Sequence, residues 1–346
     1  MRPVSALATG GAVPFAEPSP DAVAAQVDAL MAEYAGAVPG ASVLVMHQGA
    51  PVVRRAYGMA DVDGAVVSTP ATNYRLASVT KQFTAAAVLL LAEDGRLSLD
   101  DPLARWLPSL PPTPGAATLH QVLAHTSGLL DYEDHVPEAA ATQVRDADVL
   151  RLLEPHDRTL FRPGTAHRYS NSGYALLALV VARVSGRSFP AYLRENIFLP
   201  LGMEATLARV DQGPAVPHRA FGHSLVDGAW VRTDQGPTSA VLGDGGVYSS
   251  IDDLAKWDAA LQDDRLLSGE SRRLAFTPHA ATDDPAVHYG YGWRITGDAR
   301  WHSGETIGFR NVIVRWPGRR LTVVVLTNRN APEPHALALE IGALFP

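Results

Sequence analysis

Apolar residues recur at three-to-four spacing at Val23, Val27, Leu30 and Met31, so residues 21–34 are expected to form an amphipathic helix starting at Ser19 or Asp21. Two β-rich runs follow, 41–47 and 51–57, separated by a Gln48-Gly49 turn, and a short extended piece at 73–76 completes what reads as a meander. Residues 78–94 are apolar nearly all round and are closed by Gly95, which predicts a helix inside the protein rather than on its surface. Between 100 and 243 the pattern is helical segments broken by Pro and Gly, clearest at 119–124, 149–153 and 173–184. A Gly-rich stretch at 243–246 then leads through Ser250, Asp252 and Asp253 into a helix ending near Leu261. Strand signals resume at 291–295, 300–303, 309–316 and 320–327, with Pro317-Gly318 turning the last pair, and a helix over about 334–344 follows.

Strands at both ends and helices between them predict an α+β architecture (an α/β sandwich). One antiparallel sheet is built from both chain ends and flanked by helices, with an inserted all-helical lobe. The expected division is a flexible N-terminal arm over 1–20, a sheet lobe over 21–99 and 244–346, and a helical lobe over 100–243. The arm is rich in Ala, Gly and Pro and is compatible with a trimmed export signal, so it leaves the compartment open between secreted or periplasmic and cytoplasmic.

Composition removes several classes of function. With 47% hydrophobic and 19% charged residues the chain resembles a folded soluble protein rather than a disordered one. A net charge of −7, with no Lys/Arg run beyond two residues, gives no footprint for nucleic acid or anionic lipid. The apolar run 85–92 is too short to span a bilayer. Absence of cysteine excludes disulfides, thiol nucleophiles and thiolate metal sites, and the scattered histidines lack metal spacing, so no metal or cofactor is expected. Only two of the 29 basic residues, Lys81 and Lys256, are lysine. Each therefore raises the question of why arginine would not serve, and arginine cannot give up its proton.

Three motifs carry candidate chemistry. In Ser78-Val79-Thr80-Lys81, residues three apart at a helix start share a face, which holds an amine beside a hydroxyl. Burial at the positive end of a helix disfavours the ammonium, so the amine can take the serine proton. A serine three residues before a lysine also arises by chance. The apolar helix around Lys81 separates it from Lys256, which lies among Asp252, Asp253 and Asp258 and reads as a surface charge. In Tyr169-Ser170-Asn171, a phenol and a carboxamide two residues apart face one side of an extended segment; the plainer reading is that Asn171 or Ser172 caps the next helix. In His302-Ser303-Gly304, the glycine leaves room for a substrate backbone and the Ser303 hydroxyl is able to bind a carboxylate or carbonyl.

Together, in this order, the motifs resemble the Ser-x-x-Lys, Tyr-x-Asn and Lys/His-x-Gly set of the serine beta-lactamase and penicillin-binding protein superfamily. Tyr169 and His302 lie 91 and 224 residues after Ser78, spacings similar to those of class C beta-lactamases, D-alanyl-D-alanine carboxypeptidases and related esterases. Further stretches carry the resemblance: Leu123-Ala124-His125-Thr126-Ser127-Gly128-Leu129, Phe161-Arg162-Pro163-Gly164, Gly245-Gly246-Val247-Tyr248-Ser249-Ser250 and Gly290-Tyr291-Gly292-Trp293. The resemblance implies Ser78 as acylated nucleophile, Lys81 and Tyr169 as proton-transfer groups, and an active site between the two lobes. It further implies Asn171, His302, Ser303 and Gly304 as substrate-binding residues, with an oxyanion hole from the backbone N–H groups of Ser78 and Glu305.

The implied activity is hydrolysis of small esters or D-amino-acid-type peptides and amides. His302 stands where lactamases of this branch usually carry lysine, which ranks beta-lactamase action second, and a catalytically inactive binding module is the non-enzyme alternative. The acidic Glu305 is expected to disfavour anionic substrates at the cleft mouth. No Gly-x-Ser-x-Gly elbow occurs, which argues against the α/β-hydrolase fold. Oligomeric state is left open.

Overall fold

The computed structural model describes residues 20–137 and 142–345. The anticipated arm therefore lies, up to residue 19, outside the described residues. A helix does open the described chain, over Pro20–Leu30.

An eight-stranded antiparallel sheet is assembled from both chain ends. The C-terminal meander Arg294–Thr296, Ala299–Thr306, Phe309–Trp316 and Leu321–Thr327 is extended by Ala41–His47 and then Ala50–Tyr57. The join is the pairing of Ala41–His47 with Leu321–Thr327, in register Val43 to Val325. These strands read as continuous apolar runs because both of their faces are covered. Leu44, Met46, Val324 and Leu326 belong to the cluster around the central helix Lys81–Glu93. Val43, Val45, Val323 and Val325 pack with Val27 of the first helix and Ala338 and Ile341 of His335–Ala343. Period-two alternation thus assigns each strand's side chains to two cores.

Three expectations are corrected. The extended piece at 73–76 does not continue the N-terminal meander. Its strand Tyr74–Arg75 pairs with Val247–Ser249, which in turn pairs with Leu207–Ala208, forming a separate three-stranded sheet. The inserted segment is not wholly helical: after Asn171–Ser185 and Phe189–Leu193 it carries the hairpin His223–Val226 with Ala229–Arg232. Finally, the strand expected over 291–295 is split, because Gly290 to Trp293 form a turn (Gly290 N–H to Trp293 O, 2.8 Å) between His288–Tyr289 and Arg294–Thr296.

The central helix is interior, as its composition requires. Phe83 packs on Trp257 at 4.6 Å and edge-on to Phe198 at 5.3 Å, and Gly95 ends the helix at φ +66°, a left-handed conformation that suits glycine. Its N-terminal turn is a separate 3₁₀ turn, Ala77–Thr80. Among the described residues no single helix is long and apolar enough to cross a membrane.

Candidate active site

The turn carrying Ser78 is clamped between two glycines. A Cβ on Gly304 would stand 2.0 Å from the Leu76 carbonyl oxygen and 3.3 Å from the Ala77 Cβ, and one on Gly245 would stand 3.5 Å from Ala77. Ala77 itself adopts φ +49°, an unfavourable conformation for a residue with a side chain. Gly304 thus makes room for the protein's own Ser78 turn against strand Ala299–Thr306. The expectation that this glycine clears space for a substrate backbone is corrected accordingly. A third glycine, Gly292, sets the helix start from the other side: its added Cβ would lie 2.7 Å from the Lys81 carbonyl oxygen.

Lys81 is fully buried, and its Nζ donates to Ser78 Oγ at 3.0 Å, Asn171 Oδ1 at 2.9 Å and the Asp244 carbonyl at 2.9 Å. These three acceptors match the three hydrogens of an ammonium. Asn171 opens the helix Asn171–Ser185, yet neither it nor Ser172 is the cap. Ser170 takes that role, its Oγ accepting from Gly173 N–H at 3.1 Å. The Asn171 amide is thereby free to bridge Lys81 and Glu133, donating from Nδ2 to Glu133 Oε1 at 3.1 Å. The backbone ahead of it is fixed by buried His125, whose Nδ1 accepts from Ser170 N–H at 3.1 Å. Burial, and then the Lys81 charge, hold His125 well below the usual imidazole range, so it stays neutral.

The Tyr169 ring lies 4.8 Å from Lys81 Nζ and 4.3 Å from the His125 ring, with the Arg294 guanidinium 5.4 Å away. Its hydroxyl is buried and has no hydrogen-bond partner among the described residues. The phenol is thus beside the amine rather than bonded to it. His302 is buried and pinned: Nδ1–H donates to the Ser303 carbonyl at 2.6 Å and Nε2 accepts from Tyr289 Oη at 2.9 Å. Burial first, then Arg294 and Lys81, hold it well below its usual pKa, so it is neutral. Ser303 is half-buried on the same strand.

Ser78, Asn171, Glu305 and Thr306 line one cleft. Glu305 is exposed there but is paired with Arg310 at 2.6 Å. Arg310 thus offsets part of its charge. Sequence reasoning missed Tyr132, Glu133 and Asp244, which complete the cleft. Tyr132 Oη donates to Asp244 Oδ2 at 3.2 Å, and burial pushes the Asp244 carboxyl up to about 6 against the opposing effect of Lys81 and Arg75. Asp244 was within view in the Gly-rich stretch 243–246; nothing in spacing marks Tyr132 or Glu133. Lys256, with a side chain 45% exposed, lies at the surface and pairs with the buried Asp253 at 2.8 Å.

A buried amine bonded to a serine hydroxyl at a helix start, facing a strand edge across a cleft, defines a serine hydrolase centre. The Beta-lactamase family model matches residues 23–344, and the chain belongs to that family of serine hydrolases. It is 29% identical over 323 residues to penicillin-binding protein 4* of Bacillus subtilis, covering 86% of this chain and 70% of that protein. It is 31% identical over 333 residues to a D-aminopeptidase of Gluconobacter oxydans, covering 92% of this chain and 61% of that one. Among solved structures, a penicillin-binding protein from Bacillus halodurans superposes with a TM-score of 0.79 at 28% identity, over 92% of this chain and 97% of that one.

Proposed function

We propose that the chain hydrolyses small esters or D-amino-acid-type amides and peptides through an acyl-enzyme on Ser78. The observation that carries this reading is the 3.0 Å hydrogen bond from the fully buried Lys81 amine to Ser78 Oγ. In the proposed reaction Ser78 Oγ attacks the substrate carbonyl carbon while its proton passes to the Lys81–Tyr169 pair. The basic member of that pair, an amine or a phenolate, takes the serine proton and holds it until the leaving group needs it; Lys81 bonds Ser78 Oγ directly, and the Tyr169 ring lies 4.8 Å from the amine. Collapse of the tetrahedral intermediate expels the leaving group, which takes the proton back, and water then hydrolyses the ester on Ser78.

The backbone N–H groups of Ser78 and Glu305 are assigned to the developing oxyanion, a role in which one donor is typically worth about 3–4 kcal/mol. Asn171 orients the acyl group, while neutral His302, Ser303 and Gly304 hold the strand edge against the Ser78 turn. In this reading residues 21–99 and 244–346 form one lobe and 100–243 the other, with the cleft between them. Names among the relatives, penicillin-binding protein and D-aminopeptidase, support the substrate range.

The test is intact-protein mass spectrometry after a fluorophosphonate, with turnover of p-nitrophenyl esters, D-Ala-D-Ala peptides and nitrocefin, for wild type and Ser78→Ala. Wild type is expected to gain one adduct, and Ser78→Ala to lose both adduct and turnover. An adduct or an undiminished rate in Ser78→Ala would move the chemistry to another residue.

A further inference from the structure

We infer that a second cavity, of about 410 Å³ and sharing no residue with the Ser78 cleft, binds a small organic anion: a carboxylate on an aryl or medium-length alkyl body. It lies at the end of strand Phe309–Trp316 remote from Gly304, where the turn Pro317–Arg319 approaches the helix Gly269–Ala275. Binding there is independent of the chemistry assigned to Ser78.

Charge selects that class first. Arg272, Arg273, Arg315 and Arg320 line the cavity, and among its described lining residues there is no carboxylate. Arg315 is the fixed member. It is 5% exposed, with Nε donating to Asp258 Oδ1 at 2.6 Å and Nη2 to the Asp258 carbonyl at 3.4 Å, while its Nη1 donates to no described residue. Asp258 also accepts from Thr322 Oγ1 at 2.6 Å and Gln262 Nε2 at 3.1 Å, so its charge is divided among three side chains. Arg320 has no described carboxylate within ion-pairing distance, and it stands at φ +47°, a left-handed conformation that glycine would occupy with less strain. Arg272 and Arg273 pair with Asp264 at 2.7 Å and Glu270 at 3.3 Å, two largely exposed carboxylates outside the cavity lining. Exposed ion pairs contribute little, so a carboxylate held where less water reaches it competes with them readily.

The walls select the rest of the molecule. Leu261, Phe276, Trp316 and Leu321 give the cavity apolar sides, and the Arg315 guanidinium lies 5.8 Å from the Phe276 ring. A volume of this order suits a body of roughly ten to twenty heavy atoms. Inorganic phosphate would meet the arginines but leave those sides wet, whereas a neutral lipid would cover the sides and leave Arg315 and Arg320 without a counter-charge. A carboxylate matches the planar fork of a guanidinium with two parallel hydrogen bonds, and an apolar tail attached to it covers the walls.

The test is isothermal titration calorimetry of the full chain with 4-phenylbutyrate and with its neutral amide, in wild type, Arg320→Glu, Arg320→Lys and Arg158→Glu. Wild type is expected to bind the carboxylate at least about tenfold more tightly than the amide. Arg320→Glu should remove that preference and Arg320→Lys should keep most of it. Arg158 is an exposed arginine outside the cavity, so Arg158→Glu should leave the preference unchanged and serves as the control for net charge. Arg320 is itself exposed, and its substitutions leave the core intact, which thermal unfolding checks. Three results would each overturn the inference: no saturable binding of the carboxylate at millimolar concentration, equal affinity for acid and amide, or equal losses in Arg320→Glu and Arg158→Glu. A preference that survives Arg320→Glu but disappears after fluorophosphonate labelling of Ser78 would overturn it as well, by placing the ligand in the catalytic cleft.

Discussion

Replacing Gly304 by alanine tests whether the strand edge and the nucleophile turn act as one preorganised unit. The added methyl would sit 2.0 Å from the Leu76 carbonyl oxygen. Carbon–oxygen contacts are tolerated near ~3.3 Å, so about 1.3 Å must come from backbone movement of strand or turn. Overpacking of that kind costs about 1–3 kcal/mol, which a domain of this size survives. Function is more sensitive, because the same movement separates the Ser78 and Glu305 N–H groups, and a misplacement of about 1 Å costs on the order of 100-fold in rate. The assay is the pre-steady-state burst of p-nitrophenyl acetate, followed alongside thermal unfolding. Gly318→Ala is the control, since a Cβ there meets nothing within 4 Å. Burst rate and kcat within about threefold of wild type in a folded Gly304→Ala protein would refute the view that this contact sets the oxyanion geometry.

Two further predictions probe the buried charges. Lys81→Arg keeps positive charge but cannot exchange a proton, so ester turnover and fluorophosphonate labelling of Ser78 should fall by about 1,000-fold or more, and a variant retaining a tenth of wild-type turnover would contradict the assigned role. Asp146 is buried, accepts from Leu242 N–H and Gly243 N–H, and is pushed up to about 7, chiefly by burial. A carboxyl raised in the folded state adds stability that is complete below its unfolded pKa and is lost as pH rises through about 7. The stability of wild type relative to Asp146→Asn should therefore fall by up to roughly 4 kcal/mol between pH 3 and pH 8, read from urea titrations, and parallel pH–stability curves would refute it.

The sequence pattern reveals most where both faces of an element are covered. Strands 41–47 and 309–316 were legible to the residue because their β-branched, largely apolar centres, Val43 to Met46 and Val312 to Val314, fit a strand covered on both faces. The piece at 73–76 was legible as extended but not as to partner, since a two-residue pairing is decided by tertiary packing rather than by its own side chains. The hairpin after residue 222 was missed although its signal was present: Asp227-Gly228, at φ +48° and +81°, is a favoured two-residue turn. Lys81 could be found because lysine stands out in an arginine-rich chain, Ser78 because it lies three residues before that lysine, and Asn171 only through the family resemblance. Glu133 and Tyr132 could not, because a carboxylate and a phenol in an ordinary turn look alike whether they face solvent or a cleft. Gly304 was recognised as a position needing space, whereas what fills that space depends on a turn more than 220 residues earlier.

The pairing of Ala41–His47 with Leu321–Thr327 has a consequence for biogenesis. Translation supplies the first partner nearly 280 residues before the second. Until the late strand leaves the ribosome, a seven-residue, largely apolar strand has one open hydrogen-bonding edge, the template on which chains of the same kind stick together. Closure across so long a loop is slow, and a polypeptide halted after the middle helices can pair that edge only with a neighbour. Chaperone demand during synthesis is therefore written into the connectivity, independently of how stable the finished enzyme becomes.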